Sequence, residues 1–103
     1  MEISIPFQER WRDAILDGSK SATTRTKRYG SPGDPFEAFG SEFELVSVEK
    51  LTLQDVSETL YQEEGCGSAR EFRELWAKLH PRKGFVPHQA VYVHRFRRKG
   101  QAP

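Results

Sequence analysis

Gly18-Ser19-Lys20-Ser21-Ala22-Thr23-Thr24-Arg25 is the stretch from which the rest of the chain is best read. Upstream of it, Phe7, Trp11, Ala14 and Ile15 recur at helical spacing, and Gly18 stands where a C-terminal cap belongs. Ser21–Thr26 is rich in threonine, which favours a strand. Thr23 and Arg25 then share one face of that strand. Lys20 and Thr23 are three apart, so they converge only if Lys20 sits in the turn or a bulge intervenes. Convergence would gather an ammonium, a hydroxyl and a guanidinium around one small volume, suited to a phosphate, a carbonyl or a nucleobase edge. The alternative is a row of ordinary solvated residues on an edge strand, and residue types alone favour it.

Working outward, Glu2–Ile5 alternates polar and apolar residues and is expected to be a short strand, which Pro6 ends. The first helix is expected over Phe7–Asp17. Tyr29–Pro35, with Gly30, Pro32, Gly33, Asp34 and Pro35, has turn chemistry. Ser41–Leu53 is the longest strand candidate, with Phe43, Leu45, Leu51 and Leu53 on one parity and Val46 and Val48 on the other. Gln54–Glu64 predicts a helix that Gly65–Gly67 breaks. Ser68 and Glu71 form a capping box for a further helix, whose apolar stripe is Phe72, Leu75, Trp76 and Leu79 and which Pro81 stops. His88–Arg97 predicts the last strand, with Ala90, Tyr92, His94 and Phe96 facing one way and Val91, Val93 and Arg95 the other. The tail, 98–103, is expected to fray. This order of elements predicts one α+β domain over 1–103, with about three helices and a curved, mostly antiparallel sheet.

Composition bounds the function. A chain of 103 residues closes one modest core, and its two Trp, three Tyr and seven Phe argue against disorder. The formal net charge is +1, so bulk charge does not argue for nucleic acid. Basic residues cluster at Lys20–Arg28 and Arg95–Lys99, however, and acids at Glu58–Glu64. Cys66 is the sole cysteine, which excludes an internal disulfide and the two- and four-cysteine zinc patterns. His80, His88 and His94 lack metal-ligand spacing, and no metal or cofactor is expected. No leader or membrane-length apolar run is visible, so a cytoplasmic protein without membrane contact is expected.

Other residues carry two readings each. Glu63 and Glu64 are either a solvated acidic pair at a helix end or members of a site. Tyr29 and Phe36 flank the Gly/Pro loop and could stack on a base, although partial core is the commoner fate of such aromatics. Trp11 and Trp76 are expected in the core. Cys66, beside acids, is not expected to be a nucleophile. Arg95, Arg97, Arg98 and Lys99 are either a phosphate track or a solvated end.

The opening stretch resembles the signature of the ASCH family, Gly-x-Lys-x-x-Thr-x-Arg, matching at Gly18, Lys20, Thr23 and Arg25. The Ile15-Leu16-x-Gly18 helix end before it and the Gly33-Asp34 pair after it agree. So do the acidic 61–65 stretch, the 68–80 helix and the 91–96 strand, so the resemblance spans nearly the whole chain. It implies a PUA-like β-barrel with a cationic cleft, proposed in the family to bind RNA or a nucleotide-like ligand. Lys20, Thr23 and Arg25 carry over as ligand contacts, and Gly33 and Asp34 as loop determinants. Tyr29 joins them as the stacking candidate, and a track toward RNA would run through Arg25, Arg28, Arg95 and Arg97.

The chain also resembles the small single-domain members that hydrolyse the acetamide of acetylated cytidine. That resemblance implies Lys20 as base, Thr23 as nucleophile and Glu64 as orienting acid, with Glu63 an alternative for the acid. Thr24 departs from their pattern, standing where those enzymes tend to carry an apolar residue. Three functions are thus expected in turn: an RNA, nucleoside or nucleotide binder, an amidohydrolase, and a regulatory module responding to a small anion.

Overall fold

The computed structural model of the protein describes residues 1–100; Gln101–Pro103, half of the expected fraying tail, lie outside the described residues. A 3-10 turn, Glu9–Trp11, runs into α1 (Arg12–Asp17). There follow β1 (Ala22–Arg25), β2 (Pro35–Ala38), β3 (Ser41–Thr52), α2 (Leu53–Thr59), α3 (Ala69–Leu79) and β4 (Ala90–Arg98). The strands form one antiparallel sheet in the order β1-β4-β3-β2. The sheet curls into a half-barrel, an α+β arrangement.

Two apolar clusters hold the sheet, one on each face. Ala22, Val91 and Val93 pack with Leu53, Val56, Leu60, Phe72 and Trp76 of the α2–α3 layer. Phe36, Phe43, Leu45 and Phe96 pack with Ile5 and Ile15 from the N-terminal segment. The middle of β4 is therefore buried on both faces, as its alternation of large residues requires.

Several boundaries differ from expectation, each for a physical reason. Glu2–Ile5 is not a strand: Ile3 N–H makes one bond, to Pro35 O at 2.9 Å, and Ile5 serves as a core plug. The first helix starts late because Gln8 is extended and supplies no side-chain cap. Phe7 instead packs edge-on against Phe96, 5.8 Å between ring centres. The strand β2 was not expected. Phe39 and Gly40 both have positive φ, 51° and 77°, and make a two-residue hairpin turn pairing Ala38 with Ser41. Nothing in a Phe-Gly pair announces such a turn.

In β3 the register shifts between Leu45 and Ser47, leaving Val46 as an exposed extra residue. That bulge moves Leu45 and Leu51, expected on one face, to opposite clusters, and brings Val48 onto the Leu45 side. The helix expected over Gln54–Glu64 ends at Thr59, because the chain beyond it pairs with the sheet edge. At the other end, Arg98 belongs to β4 opposite Phe43, so it is not part of a frayed tail. Among the described residues no helix is long and apolar enough to cross a membrane.

Candidate functional site

The site begins with the turn after α1. Gly18 takes a left-handed conformation, φ 88°, which closes the helix and lets Lys20 N–H reach Ala14 O at 2.9 Å. Lys20 thus lies in the turn, and its side chain enters the fold ahead of β1. The exposed edge of β1 is then covered by the turn following α2: Glu63 O accepts from Ser21 N–H at 2.8 Å and Ala22 N–H at 3.0 Å. Gly65, φ 90°, keeps this turn close; a Cβ there would lie 2.9 Å from the Trp11 ring.

This docking places Glu64 against Lys20. Lys20 is 4% exposed and Glu64 5%. Lys20 Nζ donates to Ala22 O at 2.9 Å, Glu64 O at 2.8 Å and Glu64 Oε1 at 3.4 Å, and lies 4.6 Å from the Trp11 ring centre. An ammonium has three donors, and all three are committed. Thr24 Oγ1 donates to Glu64 Oε2 at 2.6 Å. Burial drives the Lys20 pKa below its ordinary value, opposed by the charge of Glu64. Burial likewise raises that of Glu64, opposed by Lys20 and Thr24, and the two titrate as a unit.

Thr23 and Arg25 share the other face of β1, as expected. Arg25 Nε donates to Thr23 Oγ1 at 2.9 Å and its Nη2 to Pro6 O at 2.6 Å. The guanidinium lies between Phe7 and Tyr29, 5.3 and 5.5 Å from their ring centres. Among the described residues Thr23 makes no hydrogen bond with Lys20. His94, fully buried behind β1, accepts from Tyr29 N–H at Nε2 (3.0 Å). Its Nδ1–H therefore faces Thr23 O at 3.3 Å. The ring is a packed structural tie, and burial lowers its pKa.

These groups floor a cavity of about 310 Å³ beside the edge strand, between the N-terminal segment and α3. Lys20, Glu64, Thr23, Thr24 and Arg25 are among its polar lining residues, with Gln8 and Thr26. Phe7, Trp11 and Tyr29 wall one side; Phe72, Trp76 and His80 wall the other. Trp76 and His80 stack with ring centres 4.1 Å apart, and Trp76 Nε1 is buried without a partner among the described residues.

Other expected site residues lie elsewhere. Gly33 and Asp34 shape the loop into β3: Gly33 N–H donates to Leu45 O, and Asp34 Oδ2 accepts from Ser31 N–H. Neither lines the cavity. Arg28 is turned onto Gly30 O and Ser31 Oγ of its own loop. Arg95 pairs with Glu49 and Glu63, and Arg97 with Glu44. The structure does not join these arginines into a track leaving the cavity. It also separates the two acids: Glu63 turns outward to Arg95 and Glu64 inward to Lys20.

Sequence reasoning missed Thr24 as a partner of Glu64. Trp76 is core and Trp11 packs against both clusters as expected, but both also line the cavity, which was not foreseen. An apolar helix stripe looks the same whether it faces a core or a cavity. The threonine in an otherwise apolar position was the one available signal. Cys66 also lines the cavity, but burial and the Glu71 charge push its pKa up to about 11.

No protein-family model matches the sequence, and no curated protein matches it. Solved structures do. An ASCH domain from Lactobacillus crispatus JV V101 superposes with a TM-score of 0.72 at 17% identity, over 94% of this chain and 77% of that one. A protein from Enterococcus faecalis V583, of the family designated DUF984, superposes with a TM-score of 0.67 at 18% identity, over 87% and 70%. At such identities the likeness concerns the backbone fold alone. The chain has the ASCH-domain fold.

Proposed function

We propose that the cavity binds a nucleobase, carried as a free nucleoside or nucleotide, between its aromatic walls and above the Lys20–Glu64 floor. The observation behind this reading is the meeting of aromatic faces with a buried charged pair in one cavity of about 310 Å³. Ligand pockets start at roughly 300 Å³ and combine apolar walls with few polar groups. A flat heteroaromatic ring with a polar edge answers both features. Arg25 Nη1, uncommitted among the described residues, would donate to a ribose or phosphate oxygen. A free nucleoside or nucleotide is favoured over an RNA strand because Arg28, Arg95 and Arg97 are tied to their own partners.

Calorimetric titration with cytidine, acetylated cytidine and a single-stranded RNA tests the reading. Nucleoside binding that weakens in Arg25→Ala and in Trp11→Ala supports it. Folded native protein that binds none of the nucleosides rejects it, and binding of the RNA alone favours the strand instead.

A second reading, hydrolysis of an acetylated cytidine, is favoured by a buried lysine whose pKa is lowered beside a threonine and a carboxyl group. Thr23 Oγ1 would attack the acetamide carbonyl and pass its proton to neutral Lys20. That proton would leave with the amine as the C–N bond breaks, and water would then release acetate from the threonine ester. Lys20 must first give up a carbonyl, since its donors are committed in the resting site. Chromatography of acetylcytidine incubated with native protein, Lys20→Ala and Thr23→Ala decides this. Cytidine formed by the native protein alone supports turnover; acetylcytidine left intact by all three rejects it.

A further inference from the structure

We infer that Thr24 is a positioning residue: its hydroxyl holds Glu64 as an ionised acceptor, so that the cavity selects a ligand edge that donates N–H. The ligand half of this inference rests on the nucleobase reading above. The Thr24–Glu64 half rests on the protein alone.

Strand alternation sets Ala22 and Thr24 on the same face of β1, toward the α2–α3 layer. Ala22 simply packs there. A valine at 24 would pack in the same way, yet the chain carries a hydroxyl, and it makes a short hydrogen bond to Glu64, 2.6 Å. A hydroxyl has one proton to give. Donated to Oε2, it favours the carboxylate over the carboxylic acid, against the effect of burial. Lys20 adds a longer contact at Oε1 and spends its other two donors on Ala22 O and Glu64 O.

The result is an asymmetric floor. A carboxylate accepts about four hydrogen bonds; the Thr24 hydroxyl and Lys20 supply two, and the Thr24 backbone N–H adds a further contact. Acceptor capacity therefore remains on the floor, whereas the ammonium has no donor left over. A ligand amine brought to Glu64 completes its shell. A ligand carbonyl in the same place meets a carboxylate and finds no donor from Lys20. Cytidine, with an exocyclic amine, and uridine, with a carbonyl at that position, differ in this respect.

The test has two parts. In ligand-free protein, the Glu64 carboxyl carbon is titrated by NMR in the native chain, Thr24→Val and Thr24→Ser. The midpoint is expected to rise in Thr24→Val and stay native-like in Thr24→Ser; an unmoved midpoint in Thr24→Val overturns the inference. Cytidine and uridine affinities are then compared. Native protein is expected to prefer cytidine by about tenfold or more, with the preference shrinking in Thr24→Val and kept in Thr24→Ser. An equal preference in native and Thr24→Val overturns the selective role. Binding of neither nucleoside overturns that half together with the nucleobase reading, while the carboxyl titration still decides the Thr24–Glu64 half. Should Thr24→Val fail to fold, Thr24→Ala removes the same donor at smaller volume.

Discussion

At the scale of single residues, His94 shows how a titratable group can be fixed by its two bonds. Nε2 must stay unprotonated to accept from Tyr29 N–H, while Arg25 and Arg28 add like charge nearby. Burial lowers the folded-state pKa below the ordinary 6.5. The contribution of neutral His94 to stability is thus present above that value and is lost as pH falls through the lower folded value. Urea denaturation midpoints are expected to drop from about pH 7 to pH 5, and to drop less in His94→Gln, where nothing titrates. An equal drop in both proteins would count against this assignment.

Cys66 offers a second check: a pKa raised from 9.0 to about 11 leaves about a hundredfold less thiolate at neutral pH. Alkylation by iodoacetamide is expected to be slower by about that factor in the folded protein than in urea. Fast alkylation of the folded chain would show the thiol to be open. Much of the polar site was legible at this scale. Lys20, Thr23 and Arg25 stood at a spacing that a turn could bring together; with Lys20 in the turn all three line one cavity, although Lys20 bonds to Glu64 and not to Thr23. The part that was not legible, Thr24 on Glu64, joins residues 40 apart in sequence. Only the fold brings them together.

At the scale of elements, the wall formed by α3 depends on how its first turn is closed. Ser68 Oγ accepts from Glu71 N–H at 3.1 Å, and Glu71 Oε2 accepts from Gly67 N–H at 3.0 Å. Ser68→Ala is expected to cost about 1 kcal/mol in chemical denaturation. A cost near zero would mean that packing of Phe72 and Trp76 holds the helix without its cap. The turn covering β1 is less tolerant. At Gly65 an alanine Cβ meets both a positive φ and the Trp11 ring, so Gly65→Ala is expected to cost about 1–3 kcal/mol and to disturb the Lys20–Glu64 contact. Denaturation of the variant measures this, and native-like stability would show that the turn can shift.

Legibility at this scale followed the strength of local signals. The capping box placed α3 to within a residue, because Ser68 and Glu71 act on the backbone beside them. The Phe39-Gly40 turn, the bulge at Val46 and the early end of α2 were invisible. The turn is local, but a Phe-Gly pair carries no hairpin signal. The bulge and the end of α2 are imposed by a partner strand or sheet edge distant in sequence, and local periodicity carries no trace of them.

At the scale of the whole molecule, charge is arranged to cancel. Cross-strand pairs tie Arg95 to Glu49 and Glu63, Arg97 to Glu44, and Lys99 to Glu42, so the basic end of the chain is matched by acids of β3 and the Glu63 turn. The cavity floor repeats the pattern on a smaller scale, with Lys20 set against Glu64. A cleft that reads as cationic from its motif is therefore close to neutral once folded, and Arg25 carries its remaining charge. This bears on what the molecule can bind. Strong salt dependence arises when several phosphates displace counterions from nucleic acid. A nucleoside held by aromatic walls and one charged pair displaces none. Its affinity is therefore expected to change less than about twofold between roughly 50 and 200 mM salt, measured by calorimetry. A nucleotide reaching Arg25 would show a shallow slope that vanishes in Arg25→Ala. A loss of about a thousandfold over the same range would mean that several phosphates are engaged. The paired arginines of β4 would then have to exchange their acids for phosphates on binding, and a strand of RNA would replace the free nucleoside as the ligand.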